Sequence, residues 1–380
     1  MSEPLNTGNR PERIPLRRRL LYALGIYLFF LAILGAVEVI TRITMHHVSS
    51  LDVFVSTPQQ RMQVADEKQS GIFEGDSLLL WRLRPNLDHV IWDYTLISTN
   101  GQGFRADYNI GPKKAGVFRI ICLGDSVTFG YRVPVVWPER PNSSEPDWLP
   151  YPMLLEKRLK SANPQREIEV LTMAVPGYTS HQGLAWLKRD INWLEPDLVV
   201  ASFGWNDASL SDAPDRITIR TNWYAVGIRW LIDHSQAFAH ATHWLRSHDQ
   251  QQPSKSPTPV SRVSQDEYVN NFKSIAELCK SHHAPIVVMG APYRDGTTNP
   301  AEAKLMTSYR VALQSSMQSQ GVPYFAVYSL TEDGGSTNQA LFGELIHPNH
   351  LGHRLIAEAL LKVMINEKLL GDLRAPEFAP

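Results

Sequence analysis

Two periods of apolar spacing alternate along residues 117–370. Five continuous apolar runs, VFRIICLG (117–124), EIEVLTMAV (167–175), DLVVASFG (197–204), APIVVMGA (284–291) and VPYFAVY (322–328), read as buried strands of a parallel sheet. Between them the spacing turns helical: PMLLEKRLKSA (152–162), QGLAWLKRDINWL (182–194), SQDEYVNNFKSIAELCKS (264–281), a segment opening at NPAEAKLM (299–306), and HLGHRLIAEALLKVM (350–364). Local signals mark the starts. Ser264 and Glu267 have capping-box spacing, Asn299 stands before Pro300 at a first helical position with Glu302 in the first turn, and Pro152 lies near the start of its helix. Strands alternating with helices predict a three-layer α/β/α sandwich around a parallel sheet, whose ligands bind at the carboxyl ends of the strands.

The first 45 residues follow another rule. RIPLRRRL precedes LLYALGIYLFFLAILGAV, an uncharged run of 18 residues (20–37) that stops at Glu38. That is close to the ~20 residues needed to cross a bilayer as a helix. Arginines crowd its N-terminal flank, whereas Arg42 is the nearby cation beyond it, so the positive-inside rule puts the tail in the cytoplasm and the rest outside. A cleaved signal peptide is the rival reading; the run is long for one, and AILGAVEV lacks an A-x-A cleavage site. The expected organisation is a cytoplasmic tail at 1–19, an anchor at 20–42, a turn-rich β region at 43–115 and the sandwich at 116–370.

Two stretches interrupt the alternation. RVPVVWPERPNSSEPDWLPY (132–151) follows the first strand, and an insert at about 208–262 follows the third. The insert holds WYAVGIRWLIDHSQAFAHATHWLRS and then the polar loop HDQQQPSKSPTPVSR. Both leave from carboxyl ends of strands, which makes them candidates for the walls or lid of a pocket. Trp137, Trp148, Trp205, Trp223 and Trp230 fall in or beside them, either stacking on ligand or packing under loops.

Composition adds exclusions. Lys and Arg number 37 against 38 for Asp and Glu, so capture of nucleic acid by charge is not expected. The two cysteines, Cys122 in an apolar run and Cys279 in a helical pattern, read as buried free thiols rather than a disulfide framework.

Two serines compete as a nucleophile. EGDSLLLWRL contains Ser77 in a literal GDSL, but the polar, glycine-interrupted QSGIFEGD before it is no buried strand. RIICLGDSVTFGYR places Ser126 after a good central strand, in a tight turn leading to a helical segment, where backbone N–H groups point at a bound group. Further strand ends supply partners. AVPGYTS puts Gly177 past the second strand, FGWND puts Asn206 past the third, and GELIHPNHLGH puts His347 before the last helix. The N–H groups of Ser126 and Gly177 and the Asn206 amide would make a three-donor oxyanion hole. Asp125 and Asp207 read as braces of their turns. No G-x-S-x-G occurs.

The set GDS, G, GxND, HPN resembles that of the SGNH hydrolases, the GDSL-type esterases and lipases, in that family's order over roughly 116–370. The approach GFRADY…FRIICLGDSVTFGYRV looks like its membrane-anchored bacterial members. The resemblance implies a flavodoxin-like five-stranded parallel sheet of order 2-1-3-4-5 and a catalytic pair of Ser126 and His347. The family's aspartate three residues before the histidine is replaced here by Glu344, which is expected to orient His347; Asp333 in TEDGG is the alternative. His347, His350 and His353 recur every third residue, but no further ligands complete a metal site, so neither metal nor cofactor is expected.

The activity this implies is carboxylic-ester hydrolysis through an acyl-serine, outside the cytoplasm, on O-acyl groups of surface glycans or on lipids. An O-acyltransferase would use the same intermediate. A non-catalytic glycan-binding relative would be expected to have lost one of the four residues, and all four are present.

Overall fold

The computed structural model describes residues 15–54, 71–136, 147–249, 259–296, 300–331 and 337–376. Most of the expected cytoplasmic tail, Trp137, the cap Asn299, most of the polar loop after residue 248 and the alternative acid Asp333 lie outside the described residues.

Five parallel strands make the central sheet: β5 (Phe118–Gly124), β6 (Ile168–Ala174), β7 (Leu198–Ser202), β10 (Ile286–Met289) and β11 (Tyr324–Phe325). They follow the short antiparallel pairs β1–β2 (Phe73–Asp76, Leu80–Leu83) and β3–β4 (Val90–Trp92, Thr95–Ile97), while β8–β9 (Leu210–Ser211, Val260–Ser261) closes the insert. The order across the sheet is β6-β5-β7-β10-β11, which is 2-1-3-4-5 in chain order. The chain therefore switches direction at β5, between its neighbours β6 and β7. The last apolar run gives only Tyr324–Phe325 as strand and then a 3-10 turn at Val327–Ser329.

Alternation along β5 explains the layers. Ile121 and Leu123 face one side, where the helices Ser180–Leu194, Gln265–Ser281 and Pro300–Ser319 pack; Ile120 and Cys122 face the other, covered by Tyr151–Ala162 and His350–Asn366. The Ser264–Glu267 capping box forms. Both cysteines are buried and free. Residues from the β1–β4 region, among them Ile72, Trp81, Ile97 and Phe104, belong to the same buried cluster as Ile121 and Leu123.

The N-terminal helix Leu16–Thr44 carries exposed apolar side chains along most of its length and is long enough to cross a membrane. The insert forms a helical hairpin, Trp223–His234 and Gln236–Asp249. Its inner face packs through Ile232 and Ala239 on Val48 and Val53, and Arg229 donates to the Ser77 carbonyl at 2.6 Å. Among the described residues, the flanks of the insert approach the sheet edge, where Ile219 meets His181 and Arg262 meets Gly177.

Candidate active site

Strand register sets the site. Gly124 is level with Ala174 on one neighbour and Ser202 on the other, so the loops after β5, β6 and β7 leave at one edge. At Gly124 a Cβ would lie 2.1 Å from Thr128 Oγ1 and 2.8 Å from the Ser202 carbonyl, so only glycine lets the turn fold this tightly. Asp125 caps the short helix Ser126–Phe129, accepting from Val127 N at 3.0 Å. Ser126 thus stands at the first position of that helix, largely buried.

The segment 342–348 folds back on itself before the last helix. Gly343 N donates to the His347 carbonyl at 3.1 Å, Arg294 N to the Leu345 carbonyl at 3.0 Å, and Asn349 caps the helix His350–Asn366. This bend aims two side chains at β5. Ser126 Oγ lies 2.7 Å from His347 Nε2, and Glu344 Oε1 bonds the other ring nitrogen, Nδ1. An ionised carboxylate only accepts, so Nδ1 carries the hydrogen and the Nε2 lone pair faces the hydroxyl. The His347 bond holds the Glu344 carboxyl below the usual carboxylate range; partial burial opposes this, and the nearby charge of Arg132 reinforces it.

Sequence reasoning missed the supports of this pair. Arg132 Nη1 lies 3.4 Å from Glu344 Oε2, and its Nη2 lies 3.2 Å from Asp93 Oδ2. The Tyr131 ring packs 4.4 Å from that of His347. The stretch GYR was visible beside the motif, but no spacing links Arg132 to a carboxylate 212 residues away. Arg105 is buried and donates to the carbonyls of Phe129, Gly130, Leu96 and Val133, with its guanidinium 4.6 Å above the Phe129 ring. Burial pushes it down to about 9, which leaves it charged at neutral pH.

Gly177 and Asn206 come to the same edge. Gly177 has φ of +84°, a left-handed conformation that disfavours a side chain, and its carbonyl accepts from Arg262 at 2.8 Å. Arg262 in turn forms a buried ion pair with Asp215 at 2.9 Å. One N–H of the Asn206 amide donates to the Tyr178 carbonyl at 3.0 Å, which fixes the amide and leaves its second N–H. Asp207 braces a neighbouring loop rather than its own turn, accepting from Ser180 N at 2.9 Å. Burial raises Asp207 to about 8 and Asp125 to about 7, so neither matches the ionised acid that Glu344 presents to His347.

The remaining candidates lie elsewhere. Ser77 sits in the β1–β2 turn. His350 stacks on Trp148 at 4.3 Å; His353 is buried, accepts from Tyr151 N at 3.1 Å and is pushed down to about 3 by burial. Trp205 stacks on Tyr293, whereas Trp223 and Trp230 face outward. Among the described residues, no group of three or more His, Cys, Asp or Glu side chains is placed to hold a metal ion.

A family model for GDSL-like lipases and acylhydrolases matches residues 122–355. The chain belongs to that family. It is accordingly a serine ester hydrolase. No curated protein matches it. Similar solved structures of GDSL-type and other hydrolases include an acetylxylan esterase from Geobacillus stearothermophilus, 17% identical, covering 67% of this chain and 96% of that one with a TM-score of 0.41. A lipase/acylhydrolase from Enterococcus faecalis is 17% identical over 69% and 100% of the two chains, with a TM-score of 0.42. A GDSL-like lipase from Bacteroides thetaiotaomicron is 14% identical over 66% and 88%, with a TM-score of 0.39. At these scores none of the likenesses bears on the substrate of this GDSL-like acylhydrolase.

Proposed function

We propose that Ser126 is the nucleophile of a membrane-anchored, extracytoplasmic carboxylic-ester hydrolase that removes O-acyl groups from surface glycans or lipids. The observation that carries this is the contact of Ser126 Oγ with His347 Nε2 at 2.7 Å while Glu344 holds Nδ1. As Oγ attacks the ester carbonyl, its proton passes to Nε2 and an oxyanion forms. The N–H groups of Ser126 and Gly177 and the free N–H of Asn206 stabilise that oxygen. Collapse expels the alcohol, which takes the proton from His347. Water, deprotonated by the same nitrogen, then attacks the acyl-serine and releases the carboxylic acid.

Arg132 acts as a positioning residue in this scheme. Glutamate is one methylene longer than the family's aspartate, and the Arg132–Asp93 pair limits the freedom this adds by holding the second carboxylate oxygen. The outward placement of the domain rests on the arginine-rich flank of an apolar helix long enough to span.

A fluorophosphonate probe should label the full chain in detergent but not Ser126→Ala; labelling of that variant would overturn the assignment. Incubation with p-nitrophenyl acetate should release acetate and nitrophenol in equal amounts even with a polysaccharide acceptor present. Acetate appearing on the polysaccharide instead would make the protein a transferase.

A further inference from the structure

The helical hairpin of the insert is fastened to the end of the N-terminal helix. Uncharged residues 20–37 rise about 27 Å as a helix, close to the ~30 Å hydrocarbon core of a bilayer, which sets Glu38 at its outer boundary. The Glu38 carboxylate accepts from Ser235 Oγ at 2.8 Å, Gln236 N at 2.9 Å and Ala237 N at 3.1 Å, capping the second hairpin helix. Arg42 donates to the His234 carbonyl at 2.9 Å. The Gln236 side chain pairs with both backbone groups of Val48, at 2.8 and 3.0 Å. The hairpin corner, residues 234–237, is thus fixed at the height where the uncharged run ends.

Beside that corner the surface is apolar and aromatic. Trp230 is 51% exposed, Leu231 42% and Phe238 37%, although Arg229 and Ile232 on the opposite face are buried. All three exposed side chains lie within about 6 Å of the corner along the helix axes, roughly one helical turn. With the hairpin axes near the membrane normal, an interfacial layer of about 5–7 Å on each side of the core reaches them. Trp230 also stacks on His234 at 4.3 Å, giving a ring pair with one polar edge, the type of side chain that collects at membrane surfaces. In water this patch would expose apolar area for no return.

We propose that the hairpin corner is a second membrane contact, seating Trp230, Leu231 and Phe238 in the outer interface of the phospholipid bilayer beside the anchor. The proposal rests on the reading of Leu16–Thr44 as a retained membrane-spanning helix. Its effect is to hold the catalytic edge at one height and orientation above the lipid, where a helix followed by a free linker would let it wander.

The test uses nitroxide labels on the full chain in nanodiscs of phosphatidylethanolamine and phosphatidylglycerol. Cys122 and Cys279 are buried, so thiol labelling reports Trp230→Cys, Leu231→Cys and Phe238→Cys, with Phe29→Cys inside the span and Lys280→Cys at an exposed position of the catalytic domain as references. Variants with wild-type thermal unfolding are used. Labels at 230, 231 and 238 should favour oxygen over a water-soluble nickel chelate several-fold more than 280 does, falling between 280 and 29. Nickel-accessible labels at the corner, with residue 29 still shielded, would overturn the second contact and leave the anchor standing. Labels shielded from both reagents would show a protein covering the patch and also overturn it. A nickel-accessible residue 29 would overturn the anchor reading itself, and this proposal with it.

Discussion

The chain spells Gly-Asp-Ser twice, and the two copies fold differently. Gly75-Asp76-Ser77 turns one antiparallel strand into the next: Asp76 accepts from Leu78 N and Leu79 N, both at 2.8 Å, and meets Arg189 at 3.1 Å. Gly124-Asp125-Ser126 turns a buried parallel strand into a helix, with Asp125 as its cap. In both, the aspartate satisfies backbone donors. What separates them is what lies beyond the serine. Ser126 faces His347 across a sheet edge, whereas the carbonyl of Ser77 receives Arg229 from the hairpin. The tripeptide encodes a turn, and the surrounding topology decides whether that turn can do chemistry.

The sharpest break between the copies is the serine itself. Ser126→Ala should lower kcat for p-nitrophenyl acetate by about 10⁴-fold or more, while Ser77→Ala should leave it within about twofold; similar losses at both would erase the distinction. Glu344→Gln keeps the shape but favours the wrong imidazole tautomer, and should cost up to about 10⁴-fold in kcat at pH 7. Asn206→Ala removes one donor of the proposed oxyanion hole and should cost about 10²–10³-fold, falling on kcat more than on KM. A change confined to KM would place Asn206 in ground-state binding instead.

The aspartates should reverse the ranking, with stability as the readout. Asp76→Ala strands two backbone donors, while Arg189 keeps Asp190, and should lower unfolding free energy by about 1–3 kcal/mol in denaturant titrations without altering kcat. Asp125→Asn should show its effect through pH. Burial raises the Asp125 pKa to about 7, so the folded state holds a proton that the unfolded chain, near 4, gives up. That stabilisation is full below about pH 4 and is lost as pH rises toward 7. The melting temperature of Asp125→Asn relative to wild type should therefore climb by a few degrees between those values; a constant difference would mean that Asp125 is ionised in the folded protein.

Much of this was legible in the residues. Continuous apolar runs bounded by glycine fixed the strands of the sheet, because strands buried on both faces tolerate no polar alternation. Ser126, Gly177, Asn206 and His347 could be named because each sits a few residues past a strand or just before a helix, so local pattern alone brings them to one edge. Arg132, Asp93 and Arg105 could not. They act across long sequence separations through side chains whose partners are set only by packing, and an arginine in a turn-rich segment looks the same whether it meets solvent or a carboxylate. The packing of the hairpin was hidden for a related reason: leaving a strand's carboxyl end says where a segment departs, and nothing of what its inner face will bury.

Arg105 carries a practical corollary. One guanidinium gathers four carbonyl oxygens, two of them (Phe129 and Gly130) in the bend just behind Ser126, without a carboxylate among them. A recombinant fragment started at residue 116 would leave the Phe129, Gly130 and Val133 oxygens without this donor and would uncover Trp186, against which Phe104 packs. Efforts to produce a soluble enzyme free of its apolar leader are better begun upstream of residue 71, so that this arginine travels with the bend it secures.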